Sequence, residues 1–433
     1  TFDTIEELYL TGLHLSQYRH PTIEPEPYWE AALEKDPTDV RCNNAMGLVR
    51  YRQGDFDTAA THFQAAIDKL TWRNPNPRDG EAFYNLGLTL KASGQDDDAY
   101  GKLYKAIWDV AWQTPAFYAL AEIDCHRRDF ETALEHLDRS LRTNAMNLKA
   151  RNLKAAVLRR LGRLEEATTV IEGTQTLDPL DVGSRNEAIL LSRARGEEAR
   201  ANEELNALAA LMDVPHWLSR IQAHFDVAFD YLNAGLWNEA RDALTRLVEA
   251  DGSAYPMVLY ALGFIAAQQG DDEAAQDLYG RASEMNPEYC FPSRLEELRI
   301  LEHARSLRPD DPWIAYYLGT LYYDKKRYDE AIALWERSVA INPDFSIPWR
   351  NLGVAAYNVE GDPEKALARY EKAFSVNPGD GRVLSELDQL RRRTGVSPEA
   401  RLEALEARMD LVRARDDLST EIATLYNQTG QPQ

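Results

Sequence analysis

The chain has 433 residues, 44% hydrophobic and 28% charged, with 49 basic against 71 acidic side chains and a formal charge of −22. A single compact core does not grow to this length, so several domains or a repeat array are expected. The acidic balance repels phosphate backbones and argues against a nucleic-acid partner. No run approaches the roughly 18 apolar residues of a membrane span. The cysteines, Cys42, Cys125 and Cys290, are too few and too far apart for a disulfide framework.

Residues 4–36 read as a degenerate helix pair, "TIEELYLTGLHLSQY" and "YWEAALEKDP" around a proline-rich turn. Helix pairs follow at 40–72, 80–112, 114–147 and 148–181, then a weaker pair at 182–213, then 221–254 and 256–287. "PSRLEELRILEHARSLRP" reads as one extra helix, 293–307, that interrupts the pairing. Pairs return at 312–345 and 346–379, with a divergent one at 380–409 and a last helix at 416–428. The expected organisation is an N-terminal array, 1–287, a single-helix joint, 288–311, and C-terminal units, 312–433, the last one truncated. A chain that opens on Thr1 and stops inside a unit reads as a piece of a longer protein.

A fixed interval runs through these pairs. Gly319 and Gly353 are 34 residues apart, as are Gly87, Ala121 and Ala155 in turn; Ala228 and Gly263 differ by 35. Gly47 and Gly87 differ by 40, across the inserted loop "TWRNPNPRDG". Twelve residues after seven of these small residues comes an alanine: Ala59, Ala99, Ala133, Ala167, Ala240, Ala275 or Ala331. Four further on stands a bulky one: Phe63, Leu103, Leu137, Ile171, Leu244, Tyr279 or Trp335. Small residues let two helices approach closely, where a larger side chain would overpack the contact by roughly 1–3 kcal/mol. Prolines such as Pro179 and Pro343 stop the second helix. Turns such as "ASGQD" place a glycine where the first helix ends left-handed. A period near 34 with this pattern is the signature of the tetratricopeptide repeat, a helix–turn–helix unit. The expected fold is all-α, a right-handed α-solenoid of about 11 such units plus the extra helix.

Several stretches, among them "RNPNPRDGEAFYNLGL", "FPSRLEELRILEHA" and "WRNLGVAAYNVEGDPEKALARYEKAF", resemble the repeat array of large bacterial proteins with an N-terminal β-rich, mutarotase-like domain of unknown function. The resemblance implies a carbohydrate context by analogy.

First helices of such units line a concave groove. The position three before each small residue is expected to face it, giving Asn44, Tyr84, Tyr118, Asn152, Phe225, Tyr260, Tyr316 and Arg350, with Tyr323 further along the same face. Rings supply contact area at low entropy cost and amides pair with a peptide backbone. A second candidate is an anion site of Lys149, Arg159 and Arg160 beside Asn152. Cys125 and His126 are adjacent and poorly placed to share a metal, and no phosphate loop or nucleophile motif occurs, so neither cofactor nor catalytic residue is expected. The expected role is a non-enzymatic scaffold that binds a protein or peptide segment, located in the cytoplasm. Two other roles are an accessory array of a carbohydrate-active protein, touching glycan or positioning the β-rich domain, and homodimer formation through exposed end repeats.

Overall fold

A computed structural model describes residues 3–431 apart from residues 19, 21, 77, 212–216 and 252–254. Helices make up 77% of the structure, and the described residues form 25 helices and no strand. Eleven helix pairs account for most of them, from Ile5–Tyr18 with Glu26–Lys35 to Gly381–Arg393 with Pro398–Glu406. The helix Leu295–Leu307 stands outside the pairing, as its sequence predicts. Its first turn is closed by Glu297, whose carboxylate accepts from the N–H groups of Ser293 and Arg294 at 2.7 and 2.8 Å. Donors that a helix start leaves unpaired are satisfied in this way.

The pair Pro312–Asp324 and Tyr328–Ile341 shows how one unit is made. The Asp311 carboxylate accepts from the N–H groups of Trp313 and Ile314 at 3.0 and 3.4 Å, with Pro312 at the first helical position. The turn between the helices needs one left-handed residue. Gly94 supplies it in the third pair at φ +75°, but Lys326 holds the same conformation here at φ +60° without the freedom of a glycine.

The spaced glycines serve packing. A Cβ on Gly319 would lie 2.7 Å from the Trp335 ring and 3.1 Å from the Ala331 carbonyl oxygen. The same relation places Phe63 on Gly47 at 2.5 Å, Leu103 on Gly87 at 2.7 Å and Tyr279 on Gly263 at 2.5 Å. The room left by the small residue is therefore taken chiefly by the bulky side chain of the second helix, with the alanine backbone beside it. Gly12 and Trp29 repeat the arrangement in the opening pair.

The chain divides into two compact units, Thr1–Ala254 with Ile265–Asp272, and Tyr255–Phe264 with Glu273–Gln433. The first holds a core that includes Phe63, Leu86, Leu103 and Leu120; the second holds one around Tyr370, Val383 and Leu387. Among the described residues no helix is long and apolar enough to cross a membrane, and no group of His, Cys, Asp or Glu is arranged to hold a metal.

Candidate interaction surfaces

The first helices of the opening three pairs, Ile5–Tyr18, Val40–Arg52 and Glu81–Ala92, surround a cavity of about 210 Å³. Tyr9, Leu13, Asn44, Leu48, Arg52 and Glu81 line it. Asn44 is held by its neighbours. Its Oδ1 accepts from the Asn85 amide at 2.9 Å, and its side chain hydrogen-bonds Glu81, whose carboxyl is pushed above the usual range by burial. Arg41 lies 2.7 Å from Glu6 and 4.4 Å from the centre of the Tyr9 ring. Arg52 is exposed at the lip and has no acidic partner among the described residues. An apolar floor of Leu13 and Leu48, a fixed amide and a cation at the rim suit a few side chains and one backbone stretch of a bound segment.

The other positions of the expected column fare differently. Phe225, Tyr260 and Tyr316 are buried and serve the core: Phe225 meets Phe229 at 5.1 Å, Tyr260 meets Tyr279 at 5.9 Å, and Tyr316 meets Phe345 at 5.0 Å. Phe229 is on the same helix as Phe225, Tyr279 on the second helix of Tyr260's pair, and Phe345 in the turn before Ser346–Asn358, so these rings pack in the core. Tyr84 is half-buried and stacks on Trp112 at 5.0 Å. Asn152 donates to the Asp181 carboxylate at 3.0 Å. Tyr323 is half-buried, 5.0 Å from Tyr328 and 5.3 Å from Trp335. Arg350 makes a two-pronged ion pair with Glu386, both contacts at 2.6 Å. Burial would raise the Glu386 pKa, but Arg350 and Arg382 overcome this and hold it below the usual range.

Within the first compact unit, the pair Trp217–Asn233 and Trp237–Asp251 reaches back to much earlier repeats. Lys91 donates to the Asn233 carbonyl at 3.3 Å and lies 3.0 Å from Glu122. The Tyr118 hydroxyl hydrogen-bonds Glu122. Burial, with Glu122 and Asp230 adding to it, holds that phenol well above its usual pKa. Lys149 pairs with Asp230 at 2.6 Å. Arg159 bridges Glu187 and Glu239 at 3.0 and 3.1 Å, and Arg160 pairs with Glu239 at 2.6 Å. The expected anion site is thus already supplied with anions from the chain itself. Sequence separations of 79 to 81 residues put Asp230 and Glu239 out of reach of local reasoning.

Asp230 has a consequence for pH. Burial raises its carboxyl to about 6, against the pull of Lys149, with Glu122 and Asp226 pushing the same way as burial. A carboxyl raised in the fold favours folding below its unfolded pKa, and that advantage is lost as pH rises through 6. Asp230→Asn is therefore expected to stabilise the chain at pH 7 by about 0.5 kcal/mol, the size left after solvent screening at this partly exposed pair. Urea titrations at pH 7 and pH 4 check this: the difference between variant and parent should vanish at the lower pH.

Sequence reasoning missed Tyr9, Leu13, Leu48 and Glu81. Tyr9 stands three before Gly12, so the same column rule finds it once Gly12 is taken as the small residue of the first pair.

Family models described as "Tetratricopeptide repeat" match residues 44–109, 118–181 and 228–289, and one described as "TPR repeat" matches 319–359, together more than half of the chain. The chain is a tetratricopeptide-repeat protein. The array is 25% identical over 182 residues to Peroxisomal targeting signal receptor of Saccharomyces cerevisiae, covering 42% of this chain and 27% of that one. Over 123 residues it is 30% identical to Protein O-mannosyl-transferase TMTC1 of Mus musculus, covering 28% and 12%. Over 206 residues it is 25% identical to Anaphase-promoting complex subunit 6 of Arabidopsis thaliana, covering 43% and 37%. In each case the tetratricopeptide array spans well under half of the relative.

Proposed function

We propose that the array is a non-enzymatic protein-binding module that seats an extended partner segment against the first helices of its opening repeats. The observation that carries this is the cavity bounded by Tyr9, Leu13, Asn44 and Leu48, which the expected groove residue Asn44 lines while Asn85 and Glu81 hold it. Leu13 and Leu48 take apolar side chains from water, at about 25 cal/mol for each Å² buried. Asn44, oriented by Asn85 and Glu81, has a further amide proton for a backbone carbonyl of the segment. Arg52 at the lip favours an acidic side chain there. Two relatives are named as a targeting-signal receptor and as a subunit of a complex, which supports a protein partner.

Peptides selected from a random library on the intact chain test the reading. They should bind with micromolar Kd, about 8 kcal/mol. Asn44→Ala combined with Leu48→Asp should weaken them by about tenfold or more, the usual effect of losing a buried contact at an interface centre, while the thermal transition shifts by only a few degrees. Unchanged affinity in that variant would remove the groove from consideration.

A further inference from the structure

The turns that join one repeat to the next carry exposed apolar side chains at four successive places in the first compact unit. They are Trp72, 70% exposed; Trp108 with Val110, 68% and 73%; Met146, 65%; and Leu180, 68%. Contacts hold these turns side by side. The Gly80 N–H donates to the Asp109 carboxylate at 3.1 Å, and the Lys105 ammonium donates to the Asn76 side chain, which joins the first turn to the second. The Thr114 and Thr143 hydroxyls lie 2.6 Å apart, and Asn152 donates to Asp181, which carries the series onward. The apolar tips therefore stand in a row along one edge of the unit.

Cations accompany the two indoles. Lys69 and Arg73 lie 5.7 and 4.7 Å from the centre of the Trp72 ring, and Lys105 lies 4.9 Å from that of Trp108. The edge also carries the acids Asp79, Asp109, Asp178 and Asp181, which accept from the N–H groups of Glu81, Ala111, Leu180 and Ser184. In a chain of net charge −22, paired indoles and cations at protruding tips mark a local departure from the rest of the surface.

The shape of the edge decides what it meets. Its apolar side chains, 65–73% exposed, stand out from turn tips. A soft, flat surface accepts protruding tips. Indoles settle at the headgroup level of a bilayer, and each basic side chain near an anionic leaflet adds to the attraction. We propose that this edge docks on an anionic lipid bilayer, with Trp72 and Trp108 in the headgroup zone and Lys69, Arg73 and Lys105 against the lipid phosphates. The groove of the opening repeats is a separate surface, and neither reading depends on the other.

Flotation of the intact chain with vesicles of phosphatidylcholine, with and without phosphatidylglycerol, tests the proposal. The chain should float with the phosphatidylglycerol vesicles, release at high salt, and show indole quenching by brominated lipid. Trp72→Ser together with Trp108→Ser should weaken vesicle binding by about tenfold and leave the melting transition in place, because both rings are exposed. Absence of binding to anionic vesicles overturns the proposal, as does binding that the double variant leaves unchanged. Loss of a captured acidic protein in the double variant, with no vesicle binding by the parent, assigns the edge to a protein and equally overturns it.

Discussion

Glu187→Ala is expected to destabilise the first compact unit by about 3–5 kcal/mol, the cost of leaving a buried charge without its partner. Glu187 is fully buried, and its carboxylate accepts from Arg159 at 3.0 and 3.2 Å and from the Tyr231 hydroxyl at 2.5 Å. Burial alone would lower the Arg159 pKa. The facing carboxylates of Glu187 and Glu239 outweigh that and raise it, so the guanidinium stays charged in the interior. Removing Glu187 strands part of that guanidinium and takes away the acceptor of the Tyr231 hydroxyl proton, leaving that hydroxyl only the bond it accepts from Asn186. Replacing the pair, as Arg159→Met with Glu187→Leu, should recover most of the loss, because an apolar pair needs no solvation. Urea titration with hydrogen exchange on the helices Leu148–Arg160 and Val182–Ala194 distinguishes the two variants. Equal losses in both would mean that the ion pair is not what holds these helices.

Trp335→Ala should cost the second compact unit a similar amount, about 3–5 kcal/mol. The indole is 2% exposed, lies over Gly319 and donates from Nε1 to the Tyr316 carbonyl at 3.3 Å. Its removal opens a space that Gly319, which has no side chain, cannot fill. The loss should appear as faster exchange of the amides in Pro312–Asp324 and Tyr328–Ile341. A loss under about 1 kcal/mol would show that the neighbouring helices collapse into the space.

The unit repeat was legible because it depends on neighbours in sequence. Gly319 and Trp335 are one turn and one helix apart, and their spacing recurs at Gly47 with Phe63 and at Gly263 with Tyr279. The opening pair was harder to read, since Gly12 and Trp29 are separated by one residue more and Glu24, not an alanine, stands twelve after Gly12. The inner surface was legible only in part. Asn44 lines the cavity of the opening repeats, whereas Tyr260 and Tyr316 occupy the same register and are core. Register says which side of a helix a residue is on; what lies opposite depends on how far the stack curves. That curvature is summed over many small rotations between repeats. It brings Asp230 to Lys149 and Glu239 to Arg160, and no spacing within one repeat encodes it.

Two glycines in one repeat provide the most direct test of nested packing. Gly87 has Leu103 at 2.7 Å from where a Cβ would sit, whereas Gly101, in the partner helix, has nothing within 4 Å. Gly87→Ala should therefore destabilise the chain by roughly 1–3 kcal/mol through overpacking, while Gly101→Ala should stabilise it by roughly 0.5–1 kcal/mol through the lower entropy of the unfolded helix segment. Denaturant titration of the two single variants beside the parent gives both signs. Opposite signs are the result the packing account predicts; a Gly87→Ala variant as stable as Gly101→Ala would contradict it.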